Sequence, residues 1–273
     1  MKISVIVPIG DEVMWERCEK SLLASAEQVS SEADIEILPC YDLEHRGAHI
    51  ARNEGLARAA GDWIAWVDCD DEVEPNWASE IAEASKKHPV ADIIQFAATE
   101  VKDGTTRPLG YRYHGEVSGA QFAHELLRND GMPAWLWTRV FRRELFEGLQ
   151  FEGRVKHDYR MFLQILPRIK SVWSIGKPLY RYNRHGMGLS NYAQNMDYGA
   201  TGHCFESLIE ALPEDWHRDG YIGLALTMAD VARHSKVDNG ARHWVRKYLH
   251  NVFLDGDVPL RLKVKSALAA IGI

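Results

Sequence analysis

Apolar runs alternate with amphipathic stretches through the first hundred residues, and this alternation predicts an α/β fold. Four runs, at 3–8, 35–38, 63–67 and 91–96, have the length and composition of buried strands, and Pro39 is expected to end the second. Between them, apolar residues recur at three-to-four spacing, as in helices with one buried face. Strands and helices in this order predict a parallel sheet with right-handed crossovers.

The pattern is less regular after residue 100. Residues 101–117 predict a hairpin or a loop with Asp103-Gly104 at its turn, followed by a helix from Ser118 to about Arg128. Short strands are predicted at 136–141, 172–175 and 179–182, and a helix at 158–166. From about residue 195 onward the pattern is helical, so we place a domain boundary near residue 190.

Composition and charge exclude several classes of protein. The 273 residues are 46% apolar and 26% charged, with a net charge of −7, which gives no sign of nucleic-acid binding. No apolar run approaches the roughly 20 residues of a membrane span. The four cysteines show no CxxC spacing and are interpreted as reduced thiols in a cytoplasmic protein. The first residues indicate a strand instead of a signal peptide.

Three carboxylates follow the third predicted strand directly, in the sequence Asp68-Cys69-Asp70-Asp71. In an open α/β sheet the carboxyl ends of the strands form the ligand crevice. Carboxylates this close repel one another, and a divalent cation that bridges phosphate oxygens would relieve the repulsion. The alternative is a solvated acidic turn in which Asp71 or Glu72 caps the helix that starts near Pro75.

Several segments occur in an order that resembles the family-2 glycosyltransferases of the GT-A fold, of the type found in bacterial polysaccharide biosynthesis. They are the first strand ending in Val7-Pro8, Ala51-Arg52-Asn53-Glu54-Gly55-Leu56, the acidic turn, Phe141-Arg142-Arg143-Glu144-Leu145-Phe146, and Asp158 with Phe162 followed by Pro178-Leu179-Tyr180-Arg181-Tyr182 and Ser190. The resemblance covers roughly residues 1–191. It implies a Rossmann-like, mostly parallel central sheet with flanking helices, followed by a C-terminal helical region.

The same resemblance implies that different regions of the chain bind the donor and the acceptor. Residues 1–98 would bind a nucleotide sugar and residues 99–190 an acceptor, with 191–273 as the helical region. The implied reaction moves a sugar from a nucleoside diphosphate, a UDP-sugar in the first place, to a hydroxyl of a glycan or lipid-linked acceptor, with inversion. Asp68 and Asp70 would hold Mn²⁺ or Mg²⁺ on the diphosphate, and one of them would contact the ribose or sugar; the cation stabilises charge on the leaving group.

Displacement at the anomeric carbon also needs a base that takes the acceptor proton. Asp158 stands where the family carries that base, although the Glu that usually precedes it is His157 here. The alternative role for Asp158 is the N-cap of the 158–166 helix.

Other positions are assigned to the donor on weaker grounds. Pro8 and Arg52 match the family's nucleotide-sugar half, although an Arg inside a helix is often a structural salt-bridge partner. Arg184 precedes a loop with Gly186 and Gly188 that could fold over the diphosphate or be an ordinary surface loop. The family usually reads the nucleotide base with an Asp after the second strand. Tyr41 stands there instead, with Asp42 next to it.

This departure keeps a different class of protein open, a catalytically degenerate GT-A chain that serves as a scaffold. An aspartate-nucleophile phosphatase also carries DxD after an apolar strand, but Asp71 and Glu72 do not fit its signature. Trp135 and Trp137 are predicted to share one face of a strand, where one could stack on an acceptor sugar or both could fill the core.

The C-terminal helix has one apolar face with basic residues beside it. Leu260, Val264, Leu268 and Ile271 share that face. Residues 258–273 could therefore rest on an anionic membrane, placing the protein at the cytoplasmic side of the membrane. The alternatives are docking of this helix on its own domain or on a second subunit in a homo-oligomer.

Overall fold

A computed structural model describes residues 1–29, 33–110, 113–128, 133–184, 197–235 and 239–272. The chain forms two compact units. Unit 1 comprises residues 1–120 and 134–185, and unit 2 comprises 121–133 and 186–273. The boundary predicted near residue 190 lies outside the described residues.

Within the described residues of unit 1, nine strands form one sheet in the order β2-β1-β3-β8-β5-β9-β4, with β6 beside β5 and β7 beside β9. The strands are β1 Lys2–Ile9, β2 Asp34–Tyr41, β3 Trp63–Trp66, β4 Glu72–Val73, β5 Ile93–Lys102, β6 Thr105–Leu109, β7 Gly115–Ser118, β8 Arg139–Arg142 and β9 Ser171–Asn183. The helices are α1 Glu12–Ala26, α2 Ala48–Arg58, α3 Trp77–Lys87, α4 Gly119–Leu127, α5 His157–Ile165, α6 Tyr198–Glu210, α7 Glu214–His234, α8 Ala241–Leu254 and α9 Leu260–Ile271.

The main path of the sheet is mostly parallel, as predicted. Strands β1, β2, β3, β5 and β9 run in one direction, because β1 is parallel to β2 and β3, β5 is parallel to β9, and β8 is antiparallel to both β3 and β5. The uninterrupted parallel order expected from the first four strands is wrong at one place. The short strand β8 lies between β3 and β5, so the first and second halves of the chain share one sheet.

Three local predictions have clear outcomes. The hairpin at Asp103-Gly104 is confirmed, and both residues adopt the left-handed conformation that a tight two-residue turn requires. Pro39 does not end β2, which continues to Tyr41; β2 is the edge strand of the sheet, where a missing N–H is tolerated. The two strands predicted around Gly176 are one strand, β9, whose register shifts opposite Gln95–Ala98.

Helices pack on both faces of β1. Val5 and Val7 belong to the apolar core shared with α1 and α3, and Ile6 between them points the other way, towards α2. A Cβ on Gly55 of α2 would lie 2.2 Å from Ile6 Cγ2, so this position requires glycine. This close packing fixes α2 against the sheet and carries Arg52, one turn earlier, to the carboxyl ends of the strands.

The described residues of unit 2 are helical, and a buried ion-pair cluster joins α4 to the later helices. Arg128, just after α4, donates through Nη2 to Asp255 Oδ1 at 2.7 Å and through Nη1 to Asp219 Oδ1 at 3.1 Å. Arg128 and Asp255 are both buried. Among the described residues, none of the helices has the length and apolar character needed to cross a bilayer.

Candidate active site

The acidic turn follows β3 and is tied to β9. Asp71 is buried, and its carboxylate accepts hydrogen bonds from Tyr180 Oη at 2.9 Å and from the backbone N–H of Asn183 at 2.7 Å. Helix α3 has Asn76 at its N-cap position and no side-chain cap. The alternative of a solvated turn that caps this helix is therefore wrong.

Tyr180 organises the turn from the neighbouring strand. Its hydroxyl donates to Asp71 and accepts the backbone N–H of Asp68 at 3.1 Å. Burial first, and then the charges of Asp70 and Asp68, raise the pKa of Asp71 well above its usual range. The sequence placed Tyr180 only on a strand; its alternation with the charged Arg181 was the available signal that it points inward.

Arg52 joins the acidic turn to the start of α5. Its guanidinium is buried and donates through Nη1 to Asp158 Oδ1 at 2.5 Å and through Nη2 to Asp68 Oδ1 at 3.1 Å. The same Nη1 contacts His157 Nε2. Arg52 is therefore a salt-bridge partner, as the structural alternative held, but its partners are the two predicted site carboxylates.

Asp158 lies in the first turn of α5, which begins at His157. The N-cap position is Lys156, and no side chain caps the helix, so the N-cap role considered for Asp158 is wrong. Burial acts to raise the pKa of Asp158, but Arg52 first, and then His157, outweigh it, and the pKa is lowered. Asp158 is therefore ionised at neutral pH and able to accept a proton.

Asp68 has a different electrostatic environment. About one third of its side chain is exposed. Burial raises the pKa of Asp68 to about 6, with Asp70 and Asp158 acting in the same direction and Arg52 against it. Arg52 carries one positive charge and pairs with two carboxylates, Asp68 and Asp158. Negative charge therefore remains at the acidic turn, and a ligand cation can compensate it.

The donor set of the turn fits a divalent cation that also binds a diphosphate. The described residues contain no cluster of three or more His, Cys, Asp or Glu side chains able to hold a metal alone. Mg²⁺ and similar ions are commonly held by one or two protein carboxylates together with substrate phosphates. Asp68 and Asp70 can supply that pair, while Arg17 Nη2 and Asn183 Nδ2 hold the Asp70 carbonyl at 2.8 and 3.1 Å.

The two residues at the end of β2 have different environments: Tyr41 is exposed, and Asp42 is buried in the loop that follows. Tyr41 is 46% exposed. Asp42 is buried, and its carboxylate accepts the backbone N–H groups of Arg46 at 2.9 Å and Gly47 at 2.6 Å. Burial would raise the pKa of Asp42, but these hydrogen bonds lower it. The Asp42 side chain thus holds together the loop that leads into α2.

Pro8 and Arg184 belong to different parts of the sheet. Pro8 is in β1, paired with Cys40 of β2. Arg184 follows β9, and its Nη1 lies 3.1 Å from Oε1 of the buried Glu100 on β5. It lines an open cleft with Arg17 and Asn183. The glycines predicted to follow in a closing loop, Gly186 and Gly188, lie outside the described residues.

Trp135 and Trp137 precede β8 instead of lying on it, because the strand begins only at Arg139. Their rings stack on each other, with centroids 4.8 Å apart. Trp137 is buried and also stacks on Tyr180 and Tyr182, at 4.7 and 5.4 Å. An aromatic column thus runs from the half-buried Trp135 to the tyrosine that organises the acidic turn.

The mostly parallel sheet with flanking helices has the GT-A-type architecture that the resemblance implied. Comparison with known proteins agrees: residues 20–150 match the family described as "Glycosyl transferase family 2".

Similar proteins include two that are described as glycosyltransferases. The chain is 24% identical over 148 residues to the putative glycosyltransferase EpsH of Bacillus subtilis (52% of this chain, 43% of EpsH) and 24% identical over 211 residues to the glycosyltransferase GlyA of Streptococcus pneumoniae serotype 4 (66% and 30%). It spans less than half the length of these relatives. The fold resembles S. aureus TarS 1–349 in complex with UDP-GlcNAc, with a TM-score of 0.70 and 14% identity over 100% of this chain and 88% of that one.

Proposed function

We propose that this protein transfers a sugar from a nucleoside-diphosphate sugar to an acceptor hydroxyl, with inversion, in the synthesis of a glycan or polysaccharide. The observation that carries the proposal is the contact of one buried guanidinium, that of Arg52, with both Asp68 and Asp158. Arg52 thus holds close together Asp68, which is suited to binding the donor, and Asp158, which is suited to accepting the acceptor proton.

The proposed donor is a UDP-sugar, bound at the carboxyl ends of β1, β2 and β3. The fold likeness to a protein solved with UDP-GlcNAc supports a uridine nucleotide. Tyr41, which is exposed at the end of β2, is proposed to stack on the base. Asp42 shapes the adjoining loop, Pro8 lies on the neighbouring strand, and Arg184 borders the cleft where the diphosphate is proposed to bind.

Asp68 and Asp70 are proposed to hold Mn²⁺ or Mg²⁺, which would supply positive charge to the departing diphosphate. Three carboxylates crowd the turn, and the guanidinium of Arg52, which pairs with Asp68, is shared with Asp158, which supports this assignment. The chain itself contributes rigidity, because Tyr180 and Asn183 hold Asp71 in the interior and so fix the direction of the two outer carboxylates.

Asp158 is proposed as the base. It remains ionised beside Arg52 and His157, which both contact Oδ1, so Oδ2 is the oxygen that would receive the acceptor proton. Direct attack by an oxygen deprotonated in this way gives inversion at the anomeric carbon. Arg52 and His157 act as positioning residues, since they hold the carboxylate and limit its rotation.

The acceptor is proposed to be a glycan or a lipid-linked sugar, approaching past the aromatic column that ends at Trp135.

All four cysteines lie among the described residues as free thiols, which supports a cytoplasmic site of reaction.

Titration calorimetry of a series of nucleoside diphosphates, UDP first, and of UDP-GlcNAc, with and without Mn²⁺, tests the proposal. Metal-dependent binding, followed by slow hydrolysis of UDP-GlcNAc without acceptor, is the expected result. Absence of binding to any nucleoside diphosphate at any cation concentration would favour the degenerate scaffold instead. If the chain binds the donor but transfers no sugar in an acceptor screen, the donor site is supported and the proposed catalytic activity is contradicted.

A further inference from the structure

Helix α9 packs through small residues and leaves its large apolar residues outside. Ser266, Ala269 and Ala270 are buried, whereas Leu260, Val264 and Ile271 are exposed. Residues spaced by four and seven positions lie on one side of a helix. Three of the four residues of the apolar face noted in the sequence therefore lie outside the face by which α9 docks on its own unit, and the fourth, Leu268, is half-buried.

The end of α8 enlarges this apolar surface. Phe253 and Leu254 are exposed, and Lys263 Nζ of α9 donates to the Phe253 carbonyl at 3.1 Å, which brings the two segments together. We define the 253–271 patch as Phe253, Leu254, Leu260, Val264 and Ile271. Their exposed fractions lie between 47% and 78%, and they are five of the eleven exposed large apolar side chains in the described residues. Apolar residues concentrated in this way mark an interaction surface, whereas single ones do not.

The charge around the patch has the opposite sign to that of the chain. Residues 241–272 contain six Lys or Arg and two Asp, although the whole chain carries a net charge of −7. Lys247 and Lys265 pair with Glu206 and Asp230. Arg242, Arg246, Arg261 and Lys263 make no ion pair with a described carboxylate; Arg246, for example, donates to the Ala270 carbonyl at 2.7 Å. Of the two acidic residues, Asp255 is buried against Arg128.

We propose that the 253–271 patch binds an anionic lipid surface, as an interfacial amphipathic element. Apolar side chains bordered by Lys and Arg match the two layers of such a surface, because the former enter the acyl boundary and the latter meet the headgroups. A second copy of the chain fits less well, since a symmetric contact would place the same positive charges against each other. The negative charge of the rest of the chain repels an anionic membrane and so restricts binding to this face.

Co-sedimentation of the full chain with vesicles tests this proposal. We compare vesicles of phosphatidylcholine alone with vesicles of phosphatidylcholine and phosphatidylglycerol in equal parts, at low and high salt. Binding is expected to the anionic vesicles and to weaken with salt. The double variant Leu260→Asp/Ile271→Asp should reduce it more than about tenfold, because burying even one such side chain contributes more than that factor. Arg261→Gln should reduce it less.

Val90→Asp is the matched control, since Val90 is as exposed as Leu260 but lies in unit 1. Its binding should equal that of the unchanged chain. Equal thermal unfolding of all variants shows that the substitutions leave the fold intact. The proposal is overturned if the unchanged chain does not bind anionic vesicles, if the double variant binds as well as Val90→Asp, or if the double variant dissociates a dimer without altering vesicle binding.

Discussion

Arg52 Nη1 lies 2.5 Å from Asp158 Oδ1, and this contact joins a helix of the first half of the chain to a helix of the second. The guanidinium is buried, so its charge is screened little by solvent. Through its second nitrogen it also holds Asp68. One guanidinium therefore holds both carboxylates, and the next two predictions concern its contact with Asp158.

Replacing Asp158 with Asn should reduce the transfer rate by about 10²–10⁴-fold, the usual effect of losing a general base. Donor binding should be almost unchanged, because Asp68 and Asp70 are intact. Steady-state kinetics and calorimetry with a UDP-sugar measure the two effects separately. Glu152→Gln, a nearby and largely exposed carboxylate, is the control. Full activity of Asp158→Asn would remove Asp158 from the mechanism.

Arg52→Lys should move the acid limb of the pH–rate profile to higher pH. Arg52 lowers the pKa of Asp158, so a single ammonium that cannot bridge both carboxylates leaves that pKa higher. The base then becomes protonated at a higher pH, and activity is lost earlier on acidification. Arg58→Lys is the control: Arg58 lies on the same helix and pairs with Glu54 at the surface, so its replacement should not shift the pH–rate profile. An unshifted limb in Arg52→Lys would show that Asp158 does not set it.

Asp70→Asn should weaken Mn²⁺-dependent binding of UDP by about tenfold or more, equivalent to 1.4 kcal/mol. The substitution removes one anionic oxygen ligand while preserving shape. Calorimetry in Mn²⁺ and in a chelator measures the metal-dependent part. Asp103→Asn changes the same charge in the β5–β6 turn, where Asn tolerates the positive φ, and should bind as the unchanged chain does. Equal binding by both variants would contradict the metal role of Asp70.

Tyr180→Phe should lower the free energy of unfolding by about 1–3 kcal/mol, because the buried Asp71 loses its hydroxyl donor. Donor binding should weaken as well, since the turn is less firmly held. Denaturant unfolding measures the first effect and calorimetry the second. Tyr182→Phe is the matched control two residues along β9, where the hydroxyl makes no hydrogen bond to a described residue. Similar stability of the two variants would mean that Tyr180 does not support the turn.

Asp255→Asn should destabilise unit 2 by about 3–5 kcal/mol at neutral pH, because the buried Arg128 loses its principal partner. Hydrogen bonding by Arg128 lowers the pKa of Asp255 below its ordinary value of 3.8. The resulting stabilisation is present above pH 3.8 and is lost as the pH falls through the lowered pKa.

The Asn variant should therefore show a flatter decline of stability on acidification, measured by thermal unfolding across this range. Asp257→Asn changes an exposed neighbouring carboxylate and should keep the original decline. A decline of the same steepness in both variants would assign acid sensitivity to other groups.

The local elements could be predicted where the apolar pattern was strong. Strands β1 and β3, the intervening helices and the Asp103-Gly104 turn follow from residue order, because period and turn chemistry act over a few neighbours. Strand β8 could not be placed in this way. Four residues carry no signal of their partner, and only tertiary packing sets them between β3 and β5.

Residue order is enough to predict the chemistry available to this protein: an acidic turn after a buried strand, a carboxylate at the start of a later helix, and a basic helix with an apolar face after residue 258. How these groups are arranged in space depends on packing. Arg52 and Asp158 are 106 positions apart and meet only because α2 packs closely on β1 through Gly55. Contacts so distant in sequence depend on the packing of whole elements, which the pattern of any one segment does not contain.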